Sequence, residues 1–163
     1  MSLKEKLDGF SIQELIETEK MIYQKSPKTG MRQEYSHNRV ELDLKATSID
    51  AKFSVYIRQN VNHIHNFSIG LDYIGKSGRV QLIRFNGAHK TVNDAIDNHH
   101  YNFHIHREIE EYEGFNKLAH AENTTEYNDF ESAVSFAMNK INVQNYSSFF
   151  PEIDQITLNW EDQ

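Results

Sequence analysis

Four of the chain's nine histidines crowd into one stretch, DNHHYNFHIHRE, running from Asp97 to Glu108: His99, His100, His104 and His106. Imidazole is the side chain that changes charge near neutral pH and the commonest metal ligand, so two chemistries compete for this stretch. The first is metal-free proton transfer. Cleavage of RNA through its own 2′-hydroxyl needs a base, an acid and a cation for the charge that develops on phosphorus. LIRFNGAH supplies Arg84 and His89 just before the stretch, and HIHRE supplies His104 and His106 within it. Arg84, His89, His104 and His106 are therefore the expected catalytic set. Asn86, Lys90, His99, His100 and Glu108 are expected to bind around them.

The second chemistry is metal binding. His-x-His occurs twice, as His63/His65 and His104/His106. Residues i and i+2 of a strand point the same way, so two adjacent strands could bring four imidazoles, or three with Glu108, to a zinc-like ion. His63 and His65 also share phase with Phe67, Ile69 and Leu71, which fits a partly buried face equally well. No residue is assigned to a metal and no cofactor is expected, a divalent ion such as zinc being the alternative. A purely structural role also stays open, since histidine sits on a solvated strand face without penalty. His37 and His120 carry no functional reading, and Arg107 with Glu108 reads as an ion pair at a strand end.

These residues need strands to hold them. Phe53, Val55 and Ile57 alternate with Ser54, Tyr56 and Arg58 in KFSVYIRQ, and Val40, Leu42 and Leu44 share one face of VELDLKA, the period of half-buried strands. IHNFSIGLDYI and RVQLIRF are further strands, joined by the glycine-bearing turn of IGKSGR. YNFHIHREIE sets Tyr101, Phe103, Ile105, Arg107 and Ile109 against His104, His106, Glu108 and Glu110. A loop of roughly fifteen residues, from Asn86 to His100, separates the last two strands; loops this long in compact domains are more often functional or mobile than simple connections. A helix is predicted at each end. Ser11 with Glu14 caps the first, whose stripe is Ile12, Leu15, Ile16, Ile22 and Tyr23; Asn128 with Glu131 starts the second, NDFESAVSFAMNKI. The expected fold is α+β: a single domain over 1–163, with about five antiparallel strands between an N-terminal and a C-terminal helix. Its core covers about residues 11–143, and 144–163 form an extension packed on the domain or on a partner.

Composition narrows the function classes. The chain has 17 Lys+Arg against 24 Asp+Glu, a net charge of −7, which disfavours general nucleic-acid binding while leaving local RNA contact open. There is no cysteine, which removes disulfides, thiolate metal sites and cysteine nucleophiles and fits a reducing cytoplasm. No apolar run is long enough for a bilayer, and MSLKEKLDGF lacks the apolar segment of a secretory signal.

The order LIRFNGAH, loop, HHYNFHIHRE and capped helix DFESAVSFAMNKINV resembles an uncharacterised domain family of phages and Firmicute-type bacteria. It is also similar in layout to TumE-type toxins of toxin–antitoxin systems. The resemblance spans about Ser11 to Val143 and falls on Arg84, Asn86, Gly87, His89, His104, His106 and Glu108. The family's Asn-Pro-Asp-Gly after the first histidine is replaced here by KTVNDA, and the glycine that tends to follow the glutamate by IEEYEG. The resemblance implies a small cytoplasmic conflict-system protein. Three functions are expected, in order: a toxin-like ribonuclease; a phage-type inhibitor of host defence that binds a protein through an acidic surface; and a histidine-rich metal module. The implied partners are RNA, an antitoxin or a host defence protein, with no membrane; a homodimer is compatible with all three.

Overall fold

Period-two alternation becomes strands where it is expected, and strands also form where it is not. The computed structural model describes residues 1–26, 32–34, 37–88, 102–107 and 120–149. Along the chain run α1 (Leu3–Lys6), α2 (Ile12–Glu17), β1 (Lys20–Lys25), β2 (Arg32–Glu34), β3 (His37–Ala46), β4 (Lys52–Asn60), β5 (Phe67–Gly75) and β6 (Gly78–Asn86). Then come β7 (His104–Arg107), β8 (His120–Asn123), α3 (Phe130–Lys140) and a 3-10 turn over Tyr146–Phe149. The strands form one antiparallel sheet in the order β1-β3-β4-β5-β6-β7-β8, with β2 also paired to β3.

The expected α+β fold with about five strands is thus corrected. Eight strands are present among the described residues, beside α-helices of only 4, 6 and 11 residues. The first helix does not run through Ile22 and Tyr23, which lie in β1. Ser11 does cap it, its Oγ accepting from Glu14 N at 3.0 Å, but the helix stops at Thr18, whose ψ of 141° is extended. From Lys20 the burial alternates, with Ile22 inside and Met21 and Tyr23 outside, and the segment pairs with β3. Two further strands go beyond the expected five: β2, three residues paired with β3, and β8, an edge strand whose sequence HAEN has no apolar alternation to announce it.

One face of the sheet is apolar and buried. Leu42 pairs with Val55, Val55 with Leu71 and Leu71 with Ile83; these four side chains are no more than 1% exposed. α3 packs against this face, burying Phe130, Ala133, Val134, Ala137 and Met138. Phe130 meets Phe67 edge-on at 5.6 Å and Phe136 meets Phe85 at 5.9 Å. The helix begins one residue later than Asn128 suggests: Asp129 accepts from Ser132 N at 2.7 Å, and Ser132 Oγ accepts from Asp129 N at 3.2 Å, a reciprocal cap.

Lys20 ties the helices to the sheet. It is fully buried, and its Nζ donates to the carbonyls of Ile16 at 2.8 Å, Thr18 at 2.9 Å and Ile141 at 2.7 Å. Those carbonyls lie at the ends of α2 and α3, where helical acceptors lack backbone partners. Beyond α3, Asn145 brackets Ile22, accepting from its N and donating to its O, both at 2.8 Å. The start of the segment expected as an extension therefore lies along β1, while 150–163 fall outside the described residues. No described helix is long and apolar enough to cross a membrane.

Candidate functional site

The opposite face of the sheet is polar, and much of it is buried. Strand alternation puts Ser54, Tyr56 and Arg58 of β4 there, as expected. In β6, however, Arg79 and Gln81 are odd-numbered while Arg84 and Asn86 are even-numbered, so a regular strand would put the pairs on opposite faces. The register shifts opposite Leu71/Asp72, where Ile83 pairs with Leu71 and Gln81 with Asp72. Leu82 is the extra residue of this bulge, which re-aims the strand. As a result all four side chains share the polar face.

Two ranks of residues cross that face. In one, Arg39, Arg58, Ser68, Asn86 and His104 are successive register partners from β3 to β7. In the next, Glu41, Tyr56, Gly70, Arg84 and His106 are partnered in the same way. Gly70 is required there, because a Cβ would collide with the Tyr56 ring. Tyr56 therefore lies flat across β5, with the Arg39 guanidinium 4.7 Å above its centroid and its hydroxyl accepting from Gln81 at 2.6 Å.

Hydrogen bonding gives the first rank a direction. Arg58 Nη2 donates to Ser68 Oγ at 3.1 Å, and Ser68 donates to Asn86 Oδ1 at 2.7 Å. Asn86 thus has its carbonyl oxygen engaged and its amide left to donate. Asn86 Nδ2, Arg58 Nε and Arg84 Nε are shut off from solvent and meet no acceptor among the described residues. All three are donors. Buried donors without acceptors are rare and costly. Arg84 makes no hydrogen bond or ion pair with any described residue, whereas Arg79 on the same strand meets Glu41 at 2.8 Å and Asp72 at 3.4 Å. Burial pulls the Arg58 guanidinium below its ordinary value; Tyr56 opposes this, and the charges of Arg84 and Arg39 add to it. Such a group stays cationic at any working pH, so the shift registers crowded, partly desolvated positive charge.

The two histidines of β7 stand beside these cations. Arg84 is the register partner of His106, and Asn86 of His104. The rings of His104 and His106 meet edge-on at 4.9 Å. His104 Nδ1 lies 2.7 Å from the carbonyl of Asn102; a carbonyl can only accept, so Nδ1 carries the proton and the neutral ring keeps its lone pair on Nε2. His104 is 0% exposed and His106 9%, and the Nε2 of each is shut off from solvent, so both rings belong to the buried part of the polar face. Tyr127 fastens the two strands, its hydroxyl lying 2.8 Å from the Asn86 carbonyl and 3.0 Å from that of His104. Burial holds that phenol above its ordinary range, with the Asn86 bond pulling slightly the other way, which keeps the hydroxyl a donor. Gly87 follows for a steric reason: any Cβ would run into the His65 carbonyl and the Phe67 ring.

Of the residues expected to act together, Arg84, Asn86, His104 and His106 are brought together. His89, Lys90, His99, His100 and Glu108 lie outside the described residues. The second His-x-His pair is elsewhere: His63 and His65 are exposed in the turn between β4 and β5, not on a strand in phase with Phe67. Among the described residues no group of three histidine or acidic side chains could hold a metal. Arg107 pairs with Glu122 on β8 at 2.9 Å. Sequence reasoning missed Arg39, Arg58 and Ser68. Arg58 was visible as the cation on the polar phase of β4, but nothing local ties β4 to β6. No family model matches the chain, and neither a curated protein nor a solved structure does.

Proposed function

We propose that the protein is a cytoplasmic, metal-independent ribonuclease of the toxin-like kind, with Arg84 and His106 at its centre. The observation that carries this reading is the row of buried donors, Arg58 Nε, Arg84 Nε and Asn86 Nδ2, with His106 the register partner of Arg84 beside them. Such donors fit a phosphodiester, whose charge they take up more fully as phosphorus becomes pentacoordinate. His106 removes the proton of the RNA 2′-hydroxyl as its oxygen bonds to phosphorus. The P–O5′ bond then breaks, and the His106 imidazolium returns the proton to the departing 5′-oxygen, leaving a 2′,3′-cyclic phosphate. His104, fully buried and fixed by Asn102, positions His106 and does not touch RNA.

The test is cleavage of single-stranded RNA in excess chelator. His106→Ala is expected to lower the rate by about 10²–10⁴ and Arg84→Ala by about 10²–10³, with a cyclic phosphate as product. Cleavage that survives both substitutions, or no cleavage of RNA free or on ribosomes, overturns the reading.

A further inference from the structure

The polar face holds more positive charge than one scissile phosphate needs. Arg39, Arg58, Arg79 and Arg84 share it, and among the described residues the carboxylates that reach them are Glu41 and Asp72. Arg79 takes both at hydrogen-bond distance, and Arg39 reaches Glu41 only at 4.0 Å. Arg58 has no described carboxylate within ion-pair range; its one hydrogen bond is to the neutral Ser68. Arg39 and Arg58 are register partners on β3 and β4, and Arg84 lies two strands further on, about 10 Å away at the backbone. Arg39 is held by the Tyr56 ring, which sets the guanidinium without consuming its hydrogen-bond donors. Surplus cations on adjacent strands, in a chain of net charge −7, mark a local track for a polyanion.

From this geometry we infer a second phosphate subsite formed by Arg39 and Arg58, beside the one at Arg84. The occupant is the backbone of single-stranded RNA, lying across β3, β4 and β6 so that a neighbouring phosphate is held while one is cut. The substrate is then a chain of several nucleotides, not a lone cyclic or terminal phosphate. This inference rests on the ribonuclease reading for the first subsite; the binding it requires is measurable without cleavage.

The probe is a fluorescent single-stranded oligonucleotide with 2′-O-methyl sugars, which has no attacking hydroxyl. Its affinity for the full chain is followed against salt for the parent, Arg58→Gln, Arg39→Gln and Arg58→Lys. Each glutamine variant is expected to weaken binding about tenfold at low salt and to flatten the log–log salt slope by about 0.7 for the lost phosphate contact. Arg58→Lys restores the slope, which a merely structural arginine would not do. Arg39 is partly exposed, so its variant tests the subsite even if Arg58→Gln fails to fold. Unchanged affinity and slope in Arg39→Gln, or tighter binding of poly-glutamate than of the oligonucleotide, overturns the subsite; the second result would mark a surface for protein carboxylates. Arginine-dependent binding with no cleavage of ordinary RNA keeps the subsite and removes only the chemistry at His106.

Discussion

At the scale of single residues, Arg84 does nothing for the fold that the described structure reveals. It carries a desolvated Nε, has no counter-ion among the described residues and faces the charge of Arg58. Replacing an uncompensated charge by an apolar side chain of similar length is neutral or stabilising. Arg84→Met is therefore expected to raise stability by up to about 1 kcal/mol in urea unfolding and, on the proposed ribonuclease reading, to lower RNA cleavage by about 10²–10³, the trade-off typical of functional sites. A loss of more than about 1 kcal/mol would mean that Arg84 is structural. The same scale shows how far the site was legible. Arg84, Asn86, His104 and His106 stand out because an arginine, an amide and spaced imidazoles suggest chemistry wherever they lie. Arg58 and Ser68 did not stand out, because their meaning comes from the Arg58–Ser68–Asn86 hydrogen bonds, and those join three strands.

Lys20 sets the terms at the scale of elements. Its ammonium serves carbonyls of α2 and α3 and lies 4.7 Å from the Phe53 ring centroid, so one side chain locks both helices to β1. Lys20→Met leaves two buried carbonyls and a part-buried one without this donor, an expected loss of about 3 kcal/mol in denaturant unfolding at neutral pH. Burial lowers its pKa from 10.5 to about 7. Between those values the unfolded chain binds more protons than the folded one, so this group makes stability rise with pH from about 7 to about 10.5. Unfolding curves across that window would show the rise in the parent and its absence in Lys20→Met; equal slopes would refute the assignment. The element also shows a limit of reading by period. Ile12, Leu15 and Ile16 fit a helix, and Ile22 continues the same stripe, yet the chain extends after Thr18 because pairing with β3 and the Lys20 contacts satisfy it better than another helical turn.

For the whole molecule, charge is sorted by place. The chain is acidic overall, and the polar sheet face concentrates arginine. Glu41 joins three strands of that face, accepting from Ser54 on β4 at 2.7 Å and Arg79 on β6 at 2.8 Å. Burial alone would raise its carboxyl, but the bonds from Ser54 and Arg79 and the charges of Arg79 and Arg39 outweigh it, and the pKa falls below 4.5. A depressed carboxylate contributes stability that is complete above its unfolded value and is lost as pH falls through the folded one. Acid unfolding monitored below about pH 4.5 is expected to lose that increment in the parent and not in Glu41→Gln, which starts less stable at neutral pH. Superimposable acid transitions for the two would show that Glu41 does not bridge the strands.

The sequence by itself determined what depends on neighbours along the chain. Alternation in β3 and β4 set which residues are apolar, Ser11 capped α2, and the phase of HIHR put His104 and His106 opposite Ile105. Only the tertiary structure decided the rest. It added β1, β2 and β8 to the sheet, used a bulge at Leu82 to bring Arg84 and Asn86 to the face of Gln81, and moved His63 and His65 out to a turn. It also buried the polar face that alternation reads as solvated, leaving His104 0% exposed. Periodicity is a property of one strand, whereas register, strand order and burial come from pairing between strands distant in sequence. The histidine stretch drew attention first, but the pairing of β3 to β7 is what set arginines beside it.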